Sequence, residues 1–165
     1  AAVGYCLRYM PSSMKIKKIL DQNIIGNIYN AFVDIGQYLP DWRPGTDYSQ
    51  SYSAKREMGG GVLFDLIHEI DLACKLAGEP VGPVSSQVDK VSELQIETED
   101  LVELFYRTDD NSFVSIHLDY LTRGYQRYIE IIGERCSLRA DLYTNQITCS
   151  SSIVEINTKT FEIHT

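Results

Sequence analysis

The second half of the chain places the strongest constraint on its fold. After Pro80, apolar and polar residues alternate with period 2 in seven stretches: 84–95, 99–108, 112–122, 127–134, 136–144, 146–157 and 160–165. Such alternation is typical of β-strands, in which successive side chains point to opposite faces. The turn-like segments between them, such as 108–112 and 133–136, are short. Short connections between consecutive strands predict antiparallel pairing.

The first half carries the helical signals. "PSSMKIKKILDQNIIG" (11–26) begins with Pro and Ser and ends at Gly26, which predicts a helix. "NIYNAFVDIGQYL" (27–39) predicts a strand, and residues 61–76 predict a second helix that Gly78 and Pro80 end. Helices followed by a run of strands indicate the α+β class, with a largely antiparallel open sheet and helices packed on one face. We expect a single domain over residues 1–165.

Composition excludes several classes of partner. The 165 residues carry a net charge of −8 without a long basic run, which argues against nucleic acid and anionic lipid as partners. No apolar stretch approaches the roughly 20 residues of a membrane span, and no signal peptide is apparent. The four cysteines lie far apart in sequence and form no Cys-x-x-Cys pair, so we expect reduced thiols in a cytoplasmic protein. The chain begins without Met, as a fragment would.

"GGGVLFDLIHEIDLA" (59–73) sets charged residues into an apolar helix. Asp65, His68 and Asp71 are spaced by three, which places them on one helical stripe. An acid one turn from a histidine can orient the ring and raise its pKa, as a general acid/base requires. The preceding glycines allow close backbone approach, and the N–H groups at the helix start favour an anion.

Structural roles for the same residues stay open. Asp65 is equally suited to a cap or a salt bridge, and His68 to a hydrogen-bonded place in the core. A zinc protease site is unsupported because Leu72 stands where "HEIDL" requires a second histidine, and we predict no metal. The chain also lacks the Gly-x-Gly-x-x-Gly and Walker patterns, so we do not expect it to bind a dinucleotide by the usual route.

Four segments in order resemble the Gfo/Idh/MocA oxidoreductases over about residues 3–143. "VGYCLRYMP" is similar to the segment where those chains leave the nucleotide-binding domain, and "GGGVLFDLIHEID" to the glycine-rich helix of their second domain. "GNIYNAFVDIGQYLPDWRPGTDYSQSYSA" resembles their first strand and its loop, and 99–142 resembles their sheet. The resemblance implies a C-terminal substrate-binding and dimerisation domain whose N-terminal Rossmann domain is absent from this chain.

This resemblance also implies an activity. Family members pass hydride between a sugar or polyol carbon and NAD or NADP, with a Lys of the Rossmann domain beside the Asp and His of this helix. Asp65 and His68 match those two residues, although many members space them Asp-x-x-x-His and here the spacing is Asp-x-x-His. His68 would be the general acid/base, and Asp65 would orient it or bind another hydroxyl. We expect NAD(P) in the full-length protein, and no cofactor binding or activity in this chain alone.

Substrate contacts are predicted in the loop 38–52 and near the helix. Trp42 and Tyr48 are suited to stack on pyranose rings, and Arg43 to pair with an anionic substrate group. Arg8 and Asp71 complete the set of candidates. Packing against the Rossmann domain is an equally good explanation of the loop aromatics.

The remaining expectations concern assembly and alternatives. Apolar alternation in the strands predicts a homodimer through the sheet, and the residues on which this rests are Leu104, Tyr106, Val114, Ile116 and Leu118. Two alternatives are a non-catalytic sugar-binding or dimerisation module of the same fold, and an unrelated α+β dimerisation domain with a chance Asp-x-x-His.

Overall fold

The computed structural model describes residues 4–150 and 159–161. Three helices, α1 (Pro11–Asp21), α2 (Val62–Asp65) and α3 (Ile67–Ala77), pack on one sheet. Its strands are β1 (Ile28–Gly36), β2 (Ser85–Asp89), β3 (Leu101–Arg107), β4 (Phe113–Asp119), β5 (Gln126–Gly133), β6 (Ser137–Asp141), β7 (Gln146–Ser150) and β8 (Lys159–Phe161). The remainder of the stretches predicted as strands over 146–157 and 160–165 lies outside the described residues. The α+β class is confirmed.

The sheet is open and mostly antiparallel, in the order β2-β3-β4-β1-β5-β6-β7-β8. Its one parallel pair joins β1 to β4, from Asn30 opposite Phe113 to Gly36 opposite Asp119. β1 therefore lies inside the sheet, between β4 and β5, although it comes first in the chain. Neighbours on both edges pair the backbone of β1, and Ala31, Val33 and Ile35 on its inner face are buried, whereas Phe32 on the other face is 37% exposed.

Two helices begin or break for identifiable reasons. Helix α1 begins at Pro11, whose missing N–H costs nothing in the first helical turn. The helix predicted over 61–76 is interrupted at Leu66, whose φ of −107° and ψ of 25° leave helical geometry. Leu66 is buried in the core, so packing overrides local helical preference there. Asp65 and His68 therefore lie on different helical segments.

The core lies between the helices and one face of the sheet. Its strand residues include Val114, Ile116 and Leu118, all fully buried, and α3 contributes Leu72 and Ala73. Tyr106 is also buried, and Leu104 packs partly buried against the same cluster. The apolar residues that we expected at a subunit interface thus form the core of the monomer. The prediction that they make an exposed apolar face is wrong.

The other side of the sheet, here called the open face, is not covered by any of the described helices. Its side chains are aromatic and charged: Phe32, Asp34, Glu103, Phe105, His117, Tyr128 and Glu130. Phe32 and Phe105 are 37% and 43% exposed. In the described part of the chain, no helix is long and apolar enough to cross a membrane.

Candidate functional site

The glycines before α2 place its start against a neighbouring loop. A Cβ on Gly60 would lie 2.2 Å from the Tyr52 carbonyl oxygen, and one on Gly61, at φ +118°, 2.2 Å from Glu99 Oε1. The amide of Val62 donates to the Glu99 carbonyl, and that of Leu63 to the Glu99 carboxylate at 3.2 Å. Close backbone approach is thus confirmed. The anion expected at the start of α2 is the side-chain carboxylate of Glu99.

Asp65, at the end of α2, is held by a buried tyrosine. Tyr120 is fully buried, and its hydroxyl donates to Asp65 Oδ2 at 2.7 Å. Burial, followed by the bond to this carboxylate, raises the pKa of Tyr120 well above its usual value. Trp42 packs edge-on against the Tyr120 ring, with centroids 5.3 Å apart. Asp65 itself stays partly exposed, so its position is fixed while solvent still reaches it.

His68, in the first turn of α3, has an unsatisfied ring nitrogen. Its Nδ1 is buried and has no hydrogen-bond partner among the described residues, although the side chain as a whole is only partly buried. The nearest aromatic ring is that of Tyr5, edge-on with centroids 6.2 Å apart. An unmet buried polar atom costs about 1–3 kcal/mol. This unmet nitrogen is the observation against the core-histidine alternative, and the chemical role of His68 stays a prediction.

Arg8 and Asp71 bind each other beside this histidine. Arg8 Nε and Nη2 donate to the two Asp71 carboxylate oxygens at 2.7 and 2.5 Å, a two-point pair. The Arg8 guanidinium also lies 5.5 Å from the Tyr5 ring centre. The pair joins the turn Cys6–Tyr9 to α3. Asp71, 9% exposed, is thus engaged within the chain, and its role as a substrate contact stays a prediction.

The loop candidates are also engaged within the chain. The Trp42 indole donates to the Gln37 carbonyl at 3.1 Å, and the Tyr48 hydroxyl accepts from the Gln95 amide at 3.2 Å. Arg43 lies 5.5 Å from the Tyr52 ring. The depression that they line has a volume of about 10 Å³, room for about one water molecule. These contacts pack the loop side chains against the rest of the chain. Direct sugar contact by the loop stays a prediction.

Sequence reasoning missed a buried ion pair beneath the site. Glu69, next to His68, is fully buried, and Arg127 Nε of β5 lies 2.8 Å from its Oε1. Neither carboxylate oxygen nor this N–H makes a well-aligned hydrogen bond. Burial raises the pKa of Glu69 to about 7, and the Arg127 charge opposes that rise. Arg127 is thus held within the fold by this ion pair.

The open face holds the other described histidine. His117 Nδ1 is 2.6 Å from Glu103 Oε1, and its Nε2 is 2.9 Å from Asp119 Oδ2. These bonds raise the pKa of His117 to about 9, against the effect of burial. Asp119 was available to sequence reasoning, since it lies two residues along the same strand and so on the same side. Among the described residues, no cluster of three or more His, Cys, Asp or Glu side chains is arranged to hold a metal.

Comparison with known proteins fixes the family. Residues 13–139 match the GFO/IDH/MocA C-terminal domain. The chain therefore belongs to the GFO/IDH/MocA C-terminal domain family.

Comparison with individual proteins is consistent with this family. "Oxidoreductase P35" of Formosa agariphila is 27% identical over 162 residues, covering 91% of this chain and 46% of its own length. The fold matches a levoglucosan dehydrogenase solved with NADH and levoglucosan at a TM-score of 0.82 and 19% identity, over 98% of this chain and 46% of that one. The WlbA dehydrogenase of Bordetella pertussis, solved with NADH and UDP-GlcNAcA, matches at 0.76 and 25% identity, over 93% and 44%. The chain spans about half the length of these relatives.

Proposed function

We propose that this chain is the substrate-side half of an NAD(P)-dependent oxidoreductase that acts on a sugar or polyol hydroxyl. Support comes from family membership and from the ligands of the similar structures, NADH with levoglucosan in one and NADH with UDP-GlcNAcA in the other. The observation that carries the proposal is the buried His68 Nδ1, which has no partner among the described residues and lies three positions after Asp65, whose carboxylate accepts from Tyr120.

His68 is the proposed general acid/base. In the oxidation direction its ring takes the proton of the substrate hydroxyl as hydride leaves the adjacent carbon. When bound, the nicotinamide supplies the hydride acceptor. Asp65, anchored by Tyr120, orients the reacting hydroxyl or accepts a hydrogen bond from its neighbour. Arg8, Asp71, Trp42, Arg43 and Tyr48 are proposed to shape the surrounding substrate cleft.

The nucleotide is proposed to bind outside this chain, on a Rossmann domain that covers the site. The chain has no glycine-rich phosphate loop of the dinucleotide type. Large apolar side chains next to the site residues in sequence are exposed: Tyr9 by 72%, Met58 by 58% and Phe64 by 62%. Exposed apolar groups of this size favour a covering domain. Inactivity of the chain alone follows from this division.

We also propose a homodimer through the open face, in a cytoplasmic protein. The aromatic side chains of this face, Phe32 and Phe105, replace the core residues first considered for the contact. Light scattering at tens of micromolar should give twice the monomer mass, and a Phe32→Glu, Phe105→Glu variant should give the monomer. A monomer in the parent protein would contradict this part of the proposal.

The test of the function uses the full-length protein and the 165-residue chain side by side. Each is assayed with NAD⁺ and NADP⁺ against a panel of sugars, sugar acids and polyols. The full-length protein should reduce one nucleotide with at least one substrate. The chain alone should show neither turnover nor NADH binding by fluorescence titration. Tight NADH binding by the chain, or a full-length protein that binds no nicotinamide nucleotide, would overturn the proposal.

A further inference from the structure

Two cysteines that are 13 positions apart meet at the β6–β7 hairpin. Cys149 lies in β7 opposite Leu138, and Cys136 immediately precedes β6. Their Sγ atoms are 2.9 Å apart, and both are free thiols. The two other cysteines differ: Cys6 is exposed, and the Cys74 sulfur lies 3.7 Å from the Tyr106 hydroxyl. The distance in sequence had hidden this pair.

The hairpin holds the two thiols in this position. The Gly133 amide donates to the Cys136 carbonyl at 3.1 Å, which closes the turn before β6. Asp141 Oδ1 accepts from the amides of Tyr143 and Thr144 at 2.8 and 2.9 Å, which fixes the turn before β7. A disulfide bond is ~2.0 Å long, so bond formation needs the sulfurs to approach by about 1 Å. Side-chain rotation can supply that movement.

We propose that Cys136 and Cys149 are a modification site, at which a small-molecule disulfide oxidises them reversibly to an intramolecular disulfide. Both side chains are only partly buried, so an oxidant can reach them. Once one cysteine has reacted with the oxidant, the other lies close to it on the neighbouring strand. Its high effective concentration favours closure of the internal disulfide over reaction with a second oxidant molecule.

Glutathione disulfide illustrates the chemistry. One cysteine thiolate attacks a sulfur of the oxidant, forming a mixed disulfide and releasing one glutathione. The second cysteine attacks the protein sulfur of that mixed disulfide and releases the other glutathione. The two cysteines lose two electrons and their two protons, and glutathione disulfide becomes two thiols. A dithiol reductant reverses both steps.

The surroundings of the two thiols set the rate at which they are oxidised. Burial and the bond with Cys149 raise the pKa of Cys136 to about 11. Since thiolates and not thiols carry out the exchange, oxidation should accelerate as the pH rises above neutrality. The link would join the start of β6 to the end of β7. The turn at the other end of this hairpin contacts α1, where Ser12 Oγ donates to Asn145 Oδ1 at 3.0 Å.

The experiment uses the 165-residue chain carrying Cys6→Ser, which removes the exposed thiol. Treatment with glutathione disulfide should lower the free thiols from three to one. The intact mass should fall by about 2 Da without a glutathione adduct. Peptide mapping should find Cys136 linked to Cys149, and dithiothreitol should restore all three thiols.

Three variants in that background complete the test. Cys136→Ser and Cys149→Ser should each gain a glutathione adduct or stay reduced, with no internal mass loss. Cys74→Ser, the matched control, should form the same linked peptide as its parent. A parent that keeps three thiols while a reference dithiol is oxidised, or that gains only glutathione adducts, would overturn the proposal. The parent's peptide map decides even if a serine variant does not fold.

Discussion

The two described histidines lie on opposite sides of one sheet and have opposite surroundings. His117, on the open face, is bonded through both ring nitrogens to Glu103 and Asp119. His68, on the helix side, leaves Nδ1 buried and unbonded. A fold gains nothing from an unmet buried nitrogen, which costs about 1–3 kcal/mol. This contrast supports our proposal that His117 has a structural role and that His68 is the acid/base.

The acidic residues on the helix side divide in the same way. Asp65 is partly exposed and held by a single strong bond from Tyr120. Glu69 is fully buried against Arg127, below the site. Position within the fold, and not residue type, separates the partly exposed carboxylate of Asp65 from the enclosed carboxylate of Glu69. Three changes in stability test this contrast.

The largest effect should come from Arg127→Met. Removing this guanidinium leaves the Glu69 carboxylate buried without its counter-charge, which should cost about 3–5 kcal/mol in the free energy of unfolding at pH 8. Glu69 has its folded pKa raised from 4.5 to about 7. Because the folded pKa is raised, Glu69 contributes its full stabilisation below pH 4.5, and this contribution is lost as the pH rises through 7. The loss in Arg127→Met should therefore be much smaller at pH 4.5, measured by urea unfolding.

Two companion variants control this measurement. Arg139→Met removes a more exposed arginine that pairs with Glu130 on the neighbouring strand, and it should change stability by less than about 1 kcal/mol. The double variant Glu69→Gln, Arg127→Met should recover most of the loss, because no buried charge remains. Equal losses of unfolding free energy in the two arginine variants would contradict the prediction that the buried Glu69 depends on Arg127.

A smaller effect is expected from Tyr120→Phe. Deleting the hydroxyl removes the bond to Asp65 and should cost about 1–2 kcal/mol, since water can reach the partly exposed carboxylate and replace part of it. In the full-length protein the same variant should lower kcat more than it raises KM, because Asp65 loses its fixed orientation. Tyr128→Phe on the open face, which removes a hydroxyl that donates to Asp34 Oδ2 at 3.1 Å, is the matched control. An unchanged kcat would contradict the role of Tyr120 in holding Asp65 for catalysis.

The smallest effect is expected from His117→Gln, and it depends on pH. The folded pKa is raised from 6.5 to about 9, so the stabilisation from this histidine is full below pH 6.5 and is lost as pH rises through 9. With partial exposure screening the charges, the loss should be about 1 kcal/mol at pH 6 and near zero at pH 10. Glu130→Gln on the same face should show no such pH dependence. A pH-independent loss would mean that His117 is neutral in the fold.

Much of the fold could be predicted because its signals are local. Pro11 marks the start of α1, and period-2 alternation locates β3 through β6 to within a few residues. The parallel pairing of β1 with β4 could not be predicted, because Asn30 and Phe113 are 83 positions apart and no local pattern joins them. The break at Leu66 is likewise set by core packing, which the sequence periodicity does not contain.

The candidate site residues came from the sequence, but the contacts that hold them did not. The Asp-x-x-His spacing singled out Asp65 and His68, yet their supporting contacts come from distant strands, Tyr120 on one side and Arg127 beneath. Glu69 stood in the quoted motif and was overlooked because it interrupts the apolar pattern as a solvated residue would. Its burial depends on the register of β5, which only the structure reveals.

The central claim is that His68 exchanges the proton with the substrate hydroxyl. The most direct measurement is the single-turnover rate of hydride transfer in the full-length protein, with His68→Gln compared with His117→Gln. We predict a loss of about 10²–10⁴-fold for His68→Gln, the usual contribution of a positioned acid/base, and a change below threefold for His117→Gln. Equal rates for the two variants would contradict the account.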